Sequence, residues 1–566
     1  MDDIAGRAGY LAAIRPRGRD VAWSDPSLLA LVIGGGLLLR LLLVDRLSPH
    51  VDEPASVLAA RMVAERGLPI LPSGVLYLQG ATLSALLAPL VWLGFGDLDH
   101  LAVLRLVSAA AGTVAVGLTY VLGCYLTGRT RLGLLAALCA GLDPANLQWS
   151  AHVRPYALLQ ALSLAIVWGF LQAVADPRRR RLASLVILFW VATFTHVGVI
   201  LLWPPLLLVT VLIYGRTLWT ERRPLALAVA LCLVGPFALV AVNHAFGGTS
   251  QTAAGSTPGM AFVGNHLLAA RAWTHPSLAA WRDLFDGIAV ADLLPVTLAA
   301  ASGLLLGQWV FAAPGATCDG DQRRVQGMIL ALYWVPILLV ATFAVERHPR
   351  YFVNLHPLGY LLLVATVQTL LQARPAIVTQ RVLLRAVGGG LVTFMLVAVI
   401  SGAGWRLTHP RVDADPRPAL AYVAAHHREG DPILVAMPPA AYLILGSRVD
   451  LQFLAGPETS NRALRYVRRT PDGRSIDYWA GMEAIASTAA LCDQLADQPE
   501  SWLVVDRVRL RSSWAYRGPM ADVISGATDE VLARPDGQLI LRAKPPVKWT
   551  GLAHRQCTAA GVSVED

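Results

Sequence analysis

The chain is dominated by apolar runs too long for an ordinary core helix. A helix needs roughly 20 apolar residues to cross about 30 Å of hydrocarbon. Runs of that kind recur at 27–45, 101–126, 132–149, 156–175, 182–197, 198–214, 224–243, 293–313, 327–345, 352–371 and 382–402. Only 15% of the residues are charged, where a soluble protein carries about a quarter, and the mean hydropathy is +0.52. The fold class expected is a polytopic α-helical membrane protein. Arg7, Arg15, Arg17 and Arg19 precede the first run and no small-residue cleavage site follows promptly, so that run reads as an uncleaved span.

The net charge of +9 does not point to nucleic acid. The basic residues sit in short loops between spans, as topology determinants do, and no basic-aromatic module is visible. Those loops also set the topology. With the Arg-rich N-terminus inside, "TGRTR" (127–131), "DPRRRR" (176–181), "GRTLWTERR" (215–223) and "GDQRR" (320–324) all fall inside if the apolar segment 76–95 does not cross. If it crosses, all four move outside, against the positive-inside rule. The segment is therefore read as a helix lying in the outer interface or packed on the bundle. About eleven spans then remain, and the C-terminus falls outside.

From 403 onward the composition changes. "DPILVAM", "VDLQFL", "SWLVVDRVRL" and "QLILRA" read as short strands bounded by Pro, Gly or Asp, while "RPALAYVAAHHRE" and "GMEAIASTAALCDQLAD" have helical spacing. The division expected is a membrane domain over 1–402, with a first outer loop at 46–100 and a long one at 244–292, and an extracytoplasmic α/β domain over 403–566. Of the six cysteines, none has metal-finger spacing, and Cys124, Cys139 and Cys232 lie in apolar runs. Cys492 and Cys557 both fall in the C-terminal domain, where an oxidising compartment would allow them to pair.

Ionisable residues near the bilayer are costly, which makes their positions informative. In this topology Arg40, Asp45, His50, Asp97, Asp99, His100, Arg105 and His196 gather toward the outer face, together with three denser clusters. Interfacial anchoring and a water-accessible cavity both account for such a belt. The sharpest cluster is "HVDEPAS" (50–56). Asp52 suits the N-cap of a helix with Pro54 in its first turn, and the helix dipole favours both acids. Asp52 and Glu53 are also the catalytic candidates, Asp52 as base. In "SAHVRPYALL" (150–159), His152, Arg154 and Tyr156 flank a proline. They serve either as headgroup anchors or as the wall of a substrate cavity, with Tyr77 a further lining residue. In "ERHPRYFVNLHP" (346–357), Arg347, His348, Arg350 and Tyr351 form a short outer turn. Guanidinium pairs with phosphate bidentately, so the turn suits a phosphate clamp as well as an anchor.

Taken in order, these elements resemble the GT-C superfamily of integral-membrane glycosyltransferases, in the branch of protein O-mannosyltransferases and lipid A aminoarabinose transferases. The resemblance is carried by "DE" at 52–53 followed by "AARMVAERGLPI", by 98–123, by "GLDPANLQWSAHVRPYALL" (141–159), by "FTHVG" (194–198) and by "RYFVNLHPLGYLLL" (350–363). It implies a GT-C-like bundle and transfer of a sugar from a polyprenyl-phosphate carrier to a lipid, glycan or protein acceptor at the outer face of the cytoplasmic membrane. Asp52 would be the general base, with Arg347 and Arg350 neutralising the donor phosphate. Relatives often carry an acid where His152 stands and a Lys-Pro-Pro after the first-loop acids. "LPSGVLYLQGA" (71–81) has neither lysine nor the proline pair. The acids that would bridge a divalent metal are therefore missing; neutral His152 could still ligate one but is read first as a hydrogen-bonding residue, and no other cofactor is implied. The competing function class is a transporter or flippase of lipid-linked sugars. That class calls for charges at mid-membrane along a path, whereas the span centres look nearly free of them.

Overall fold

A computed structural model describes residues 26–214, 223–246, 298–306, 320–343, 349–372, 378–410, 413–447, 450–455, 466–511, 516, 518–562 and 564. The expected outer loop 244–292 lies almost wholly outside these residues, as do Arg347 and His348. The chain forms two compact units. One holds residues 1–46, 105–239 and 265–410, and the other 47–104, 240–264 and 411–566. The first outer loop thus clusters with the C-terminal residues, not with the spans on either side of it in sequence.

Among the described residues, six helices are long and apolar enough to cross a membrane. They include α1 (Pro26–Val44), α4 (Leu101–Thr127) and α7 (Tyr156–Ala175). Their outer faces stay apolar: Leu31, Leu38 and Leu42 on the first, and Val382, Val397 and Ile400 on the helix Val378–Thr408, are exposed. Water would penalise such rows of exposed aliphatics, whereas lipid satisfies them. The helix within 76–95, α3 (Ala81–Trp92), has 12 residues. At 1.5 Å per residue it spans about 18 Å, short of a bilayer core. It packs against α2 (Glu53–Arg66) in the second unit.

Several expected spans are interrupted, each for a local reason. The run 132–149 divides into α5 (Thr130–Leu142) and α6 (Pro144–Ser150). Asp143 caps the second piece by accepting the Asn146 N–H at 2.7 Å, and Pro144 cannot continue the first helix. The run 198–214 begins with a 3-10 turn, Val197–Leu202, before the helix Trp203–Tyr214. The run 352–371 likewise opens in a 3-10 segment, Pro349–Leu355, before the helix from His356 to Gln372.

The C-terminal part of the second unit is built on an eight-stranded mixed sheet, ordered β3-β4-β5-β2-β1-β6-β8-β7. The strands are β1 (Ile433–Val435), β2 (Leu451–Leu454), β3 (Val467–Arg469), β4 (Ser475–Asp477), β5 (Glu483–Ile485), β6 (Trp502–Asp506), β7 (Thr528–Ala533) and β8 (Gln538–Ala543). Its centre, β5-β2-β1-β6, is parallel. Both sequence readings at its margins need correction. "GMEAIASTAALCDQLAD" is not helical throughout: Glu483–Ile485 pairs with β2, and the helix begins at Thr488 because the Ser487 hydroxyl caps Ala490 N–H. "SWLVVDRVRL" is a strand only to Asp506, whose carboxylate accepts the Arg509 N–H at 2.8 Å and turns the chain into a short helix.

Cys492 and Cys557 are joined by a disulfide within this domain's core, their Cα atoms 5.7 Å apart. The bond closes a loop with a sequence separation of 65 residues, which removes about 4 kcal/mol of denatured-state freedom in the chain-entropy account. A Cys557→Ser variant should accordingly melt well below the wild type, and reductant should lower the wild-type melting temperature but not that of the variant.

The turn 477–482 is organised by a buried carboxylate. Asp477 accepts backbone N–H groups from Trp479 and Ala480 at 2.8 Å and Met482 at 2.6 Å. Burial pushes its carboxyl up to about 6, against the pull of those donors. Folding therefore favours the neutral form. That share of stability is full below the unfolded value near 4 and is lost as pH rises through about 6. Asp477→Asn cannot ionise. Whatever its offset, its stability relative to wild type should improve by about 3 kcal/mol between about pH 4 and pH 7, as read from melting curves at each pH.

Candidate functional site

The sequence candidates divide between the two units. Asp52, Glu53 and Tyr77 belong to the second; Arg105, His152, Arg154, Tyr156, His196, Arg350 and Tyr351 belong to the membrane unit.

At the start of α2, Asp52 occupies the N-cap position but its side chain makes no capping bond, contrary to the capping role expected for it. Backward capping falls to Glu53, which is fully buried and whose Oε2 accepts the His50 N–H at 2.8 Å. The His50 imidazole in turn accepts the Asp52 N–H at 3.2 Å, and its Nδ1 lies 3.8 Å from Asp52 Oδ2. The two acids thus differ in setting. Glu53 is enclosed and committed to the backbone, whereas the Asp52 side chain keeps 33% of its surface. Pro54 in the first turn fixes the direction in which both emerge. Tyr77 lies in the hairpin-like turn that follows α2, where Ile70 bridges Leu76. Its ring packs beside Gly80, where a Cβ would come within 3.3 Å of it.

In the membrane unit, "SAHVRPYALL" and "FTHVG" converge as an aromatic group. Trp149 lies 4.9 Å from Tyr156 and 5.7 Å from His152, and Tyr156 lies 5.4 Å from His196, between ring centroids. The Arg154 guanidinium sits 5.7 Å from the Tyr156 ring centroid, within cation–π range. His152 Nδ1 bonds the Gln148 carbonyl at 2.8 Å and His196 Nδ1 accepts the Gly198 N–H at 3.0 Å. The 3-10 turn carrying Arg350 joins this group through Gln160, whose Nε2 donates to the Val353 carbonyl at 2.6 Å. Arg350 is half-buried there, and Tyr351 shares the turn. Arg105 stands apart, its Nη1 donating to the Val44 carbonyl at 2.6 Å. That bond ties α4 to the end of α1.

Sequence reading missed a buried polar knot in this unit. Asp143, with no exposed surface, takes the Tyr360 O–H at 2.6 Å and contacts His356 Nδ1 at 3.0 Å, in addition to the Asn146 N–H. Gln160 bonds Asn146 Oδ1 at 2.7 Å. Arg40, also fully buried, donates to the Gly36 and Gly141 carbonyls and feels the Asp143 charge. Arg40 lies toward the outer end of α1, in keeping with its place in the outer belt, and Asp143 is a charged residue inside the expected span 132–149. The Asp-Pro step inside an apolar run was the available signal. As to metals, no group of three or more His, Cys, Asp or Glu side chains gathers among the described residues.

Comparisons agree with this architecture. The family described as dolichyl-phosphate-mannose-protein mannosyltransferase matches residues 81–240. ArnT from Cupriavidus metallidurans in the apo state aligns with a TM-score of 0.57 at 15% identity, over 91% of this chain and 97% of that one. The same protein bound to undecaprenyl phosphate gives 0.56 at 15%, over 93% and 98%. The Archaeoglobus fulgidus oligosaccharyltransferase, in a complex with Zn and sulfate, gives 0.51 at 12%, over 93% and 76%. No curated protein matches the chain in sequence. At these identities the likeness is one of fold, and the chain has the fold of the GT-C superfamily of integral-membrane glycosyltransferases.

Proposed function

We propose that the chain is a glycosyltransferase that moves a sugar from a polyprenyl-phosphate carrier to a hydroxyl acceptor, at the outer face of the cytoplasmic membrane. One observation carries this reading: ArnT, of similar fold along nearly its whole length, was solved with undecaprenyl phosphate bound. The positive-inside distribution of the basic loops supports the outer face.

The chemistry asks little of the protein. The carrier phosphate is already a good leaving group, so no strong general acid is needed. Asp52 takes the proton of the acceptor hydroxyl while that oxygen bonds the anomeric carbon. The bond from that carbon to the phosphate oxygen breaks, and polyprenyl phosphate leaves with the electron pair, inverting the configuration. A base must remain accessible to its substrate, and of the two acids Asp52 is the exposed one. Arg347 and Arg350 are assigned to the donor phosphate, whose charge they neutralise as it departs. His152, Arg154, Tyr156 and His196 are assigned to the cavity wall, where aromatic faces suit a sugar ring.

A transporter or flippase of lipid-linked sugars would route its cargo past charged groups at mid-membrane. Asp143 is a charged residue inside an apolar run, but it bonds Asn146, His356 and Tyr360 of the same chain, which makes it a structural node. The test is to incubate purified protein with polyprenyl-phosphate sugars and measure release of polyprenyl phosphate. Absence of release across donors, with vesicle-to-vesicle movement of the intact lipid-linked sugar, would replace the transferase by the flippase.

A further inference from the structure

We infer that the C-terminal α/β domain is a positioning element for Asp52, acting by clamping the first outer loop on both sides of it; this rests on the transferase reading above. The clamp lies entirely within the second unit. On the near side, the Asp413 N–H donates to the Ser48 hydroxyl, four positions before Asp52. On the far side, beyond α2, Ser73 is held from three directions. Its hydroxyl donates to the Tyr478 carbonyl, its N–H donates to the Trp479 carbonyl at 3.3 Å, and its carbonyl accepts Arg468 Nη1 at 2.9 Å. At the loop's end, Arg417 is oriented by its fork onto Asp415 and gives its Nη1 to the Leu98 carbonyl at 3.1 Å. Its charge faces Asp99 and Glu53 as well as Asp415.

The receiving surface is built for close approach. Gly481 has φ +76°, and a Cβ there would come within 3.1 Å of Ser73 Cα. A side chain at 481 would therefore be strained in its own backbone and would push the loop away. Asp477 holds the turn that presents these carbonyls, through the N–H groups of 479, 480 and 482. Helix Pro438–Leu445 packs on α2 itself. A short helix bearing a base at its N-cap is thus held on both sides by the C-terminal domain. General-base catalysis needs the base held to within about half an ångström, which a loop tethered only by lipid would not supply.

Arg468→Ala removes one tether and Gly481→Val opens the whole contact; Arg468→Lys is the rescue. We expect both disruptive variants to exchange amide hydrogens faster over 53–76. Their kcat should fall by on the order of 10- to 100-fold, the penalty of a misplaced catalytic group, with KM for the donor unchanged. Arg468→Lys should recover most of the rate. The Cys492–Cys557 disulfide is the folding control, since it stays inaccessible to reductant while the domain is intact. Faster exchange with an unaltered kcat overturns the inference. So does a rate loss seen only once the disulfide becomes reducible, because that is domain unfolding. If the wild type itself releases no polyprenyl phosphate, the transferase reading fails. The clamp is then still read by exchange, and unaltered exchange in Gly481→Val removes it.

Discussion

Replacing Asp52 by asparagine should lower kcat by on the order of 10²–10⁴-fold, the usual worth of a positioned general base, while leaving the donor KM and the melting temperature nearly unchanged. The asymmetry follows from geometry. The Asp52 side chain makes no capping bond and keeps a third of its surface, so the amide substitution removes proton affinity and little structure. Glu53→Gln is the informative contrast. Its carboxylate is fully buried and accepts the His50 N–H, a bond the amide oxygen can retain, so this variant should keep most of its turnover. Glu53→Ala leaves that buried N–H without its acceptor and costs about 1–3 kcal/mol, showing first as lost stability. If instead Glu53→Gln is the dead variant and Asp52→Asn turns over normally, the base has been assigned to the wrong acid. A pH–rate profile adds an independent reading. The acidic limb present in wild type should disappear in Asp52→Asn, because the residual rate no longer depends on a carboxylate losing its proton.

Much of the architecture was legible because it rests on strong one-dimensional signals. Hydrocarbon thickness sets the length of an apolar run, so the boundaries of α1, α4 and α7 lie within a residue or so of the sequence reading. Alternation and turn residues marked β1, β2, β6 and β8. Of the strands not anticipated, β7 has six residues but most are exposed, so it shows no apolar alternation, while β3, β4 and β5 have three residues each. A strand that short carries no readable period, and only its partners define it. The same limit applies to the interrupted spans. Hydropathy is blind to a proline or an aspartate that stops one helix and caps the next, since both sit inside an apolar average.

The candidate site was legible in its residue types but not in its roles. Two adjacent acids before a proline announced a helix start, with Asp52 the expected cap. The division of labour, with Glu53 enclosed and Asp52 left accessible, depends on the backbone turn at His50 and has no sequence signature. Association of the first outer loop with residues from 411 onward is further out of reach, because Ser73 and Tyr478 are separated by 405 positions. Nothing local to "LPSG" distinguishes a docked serine from a solvated one.

Asp143→Ala should be among the most destabilising single changes in the membrane unit, at about 3–5 kcal/mol, the range for removing one member of a buried charged pair. Three groups lose their acceptor at once: the Asn146 N–H, the Tyr360 hydroxyl and the His356 ring. The cap that begins α6 is lost with them, and the buried Arg40 loses the carboxylate acting on it. No water is at hand in a bilayer to take their place, so the unmade bonds keep their full penalty. Asp143→Asn keeps the shape and one acceptor oxygen and should fall between wild type and alanine. His356→Ala leaves Tyr360 and Asn146 in place and should cost least of the three. Cys139, buried one turn before Asp143, supplies the measurement. Thermal unfolding in detergent can be followed by maleimide labelling at this thiol, with Cys124, Cys232 and Cys318 replaced by serine so that one signal remains. Labelling of Asp143→Ala at wild-type temperatures would show the knot to be dispensable for folding. In that case the buried carboxylate would have to be explained by turnover, and the transport reading would regain the charged group that its bonds now assign to structure.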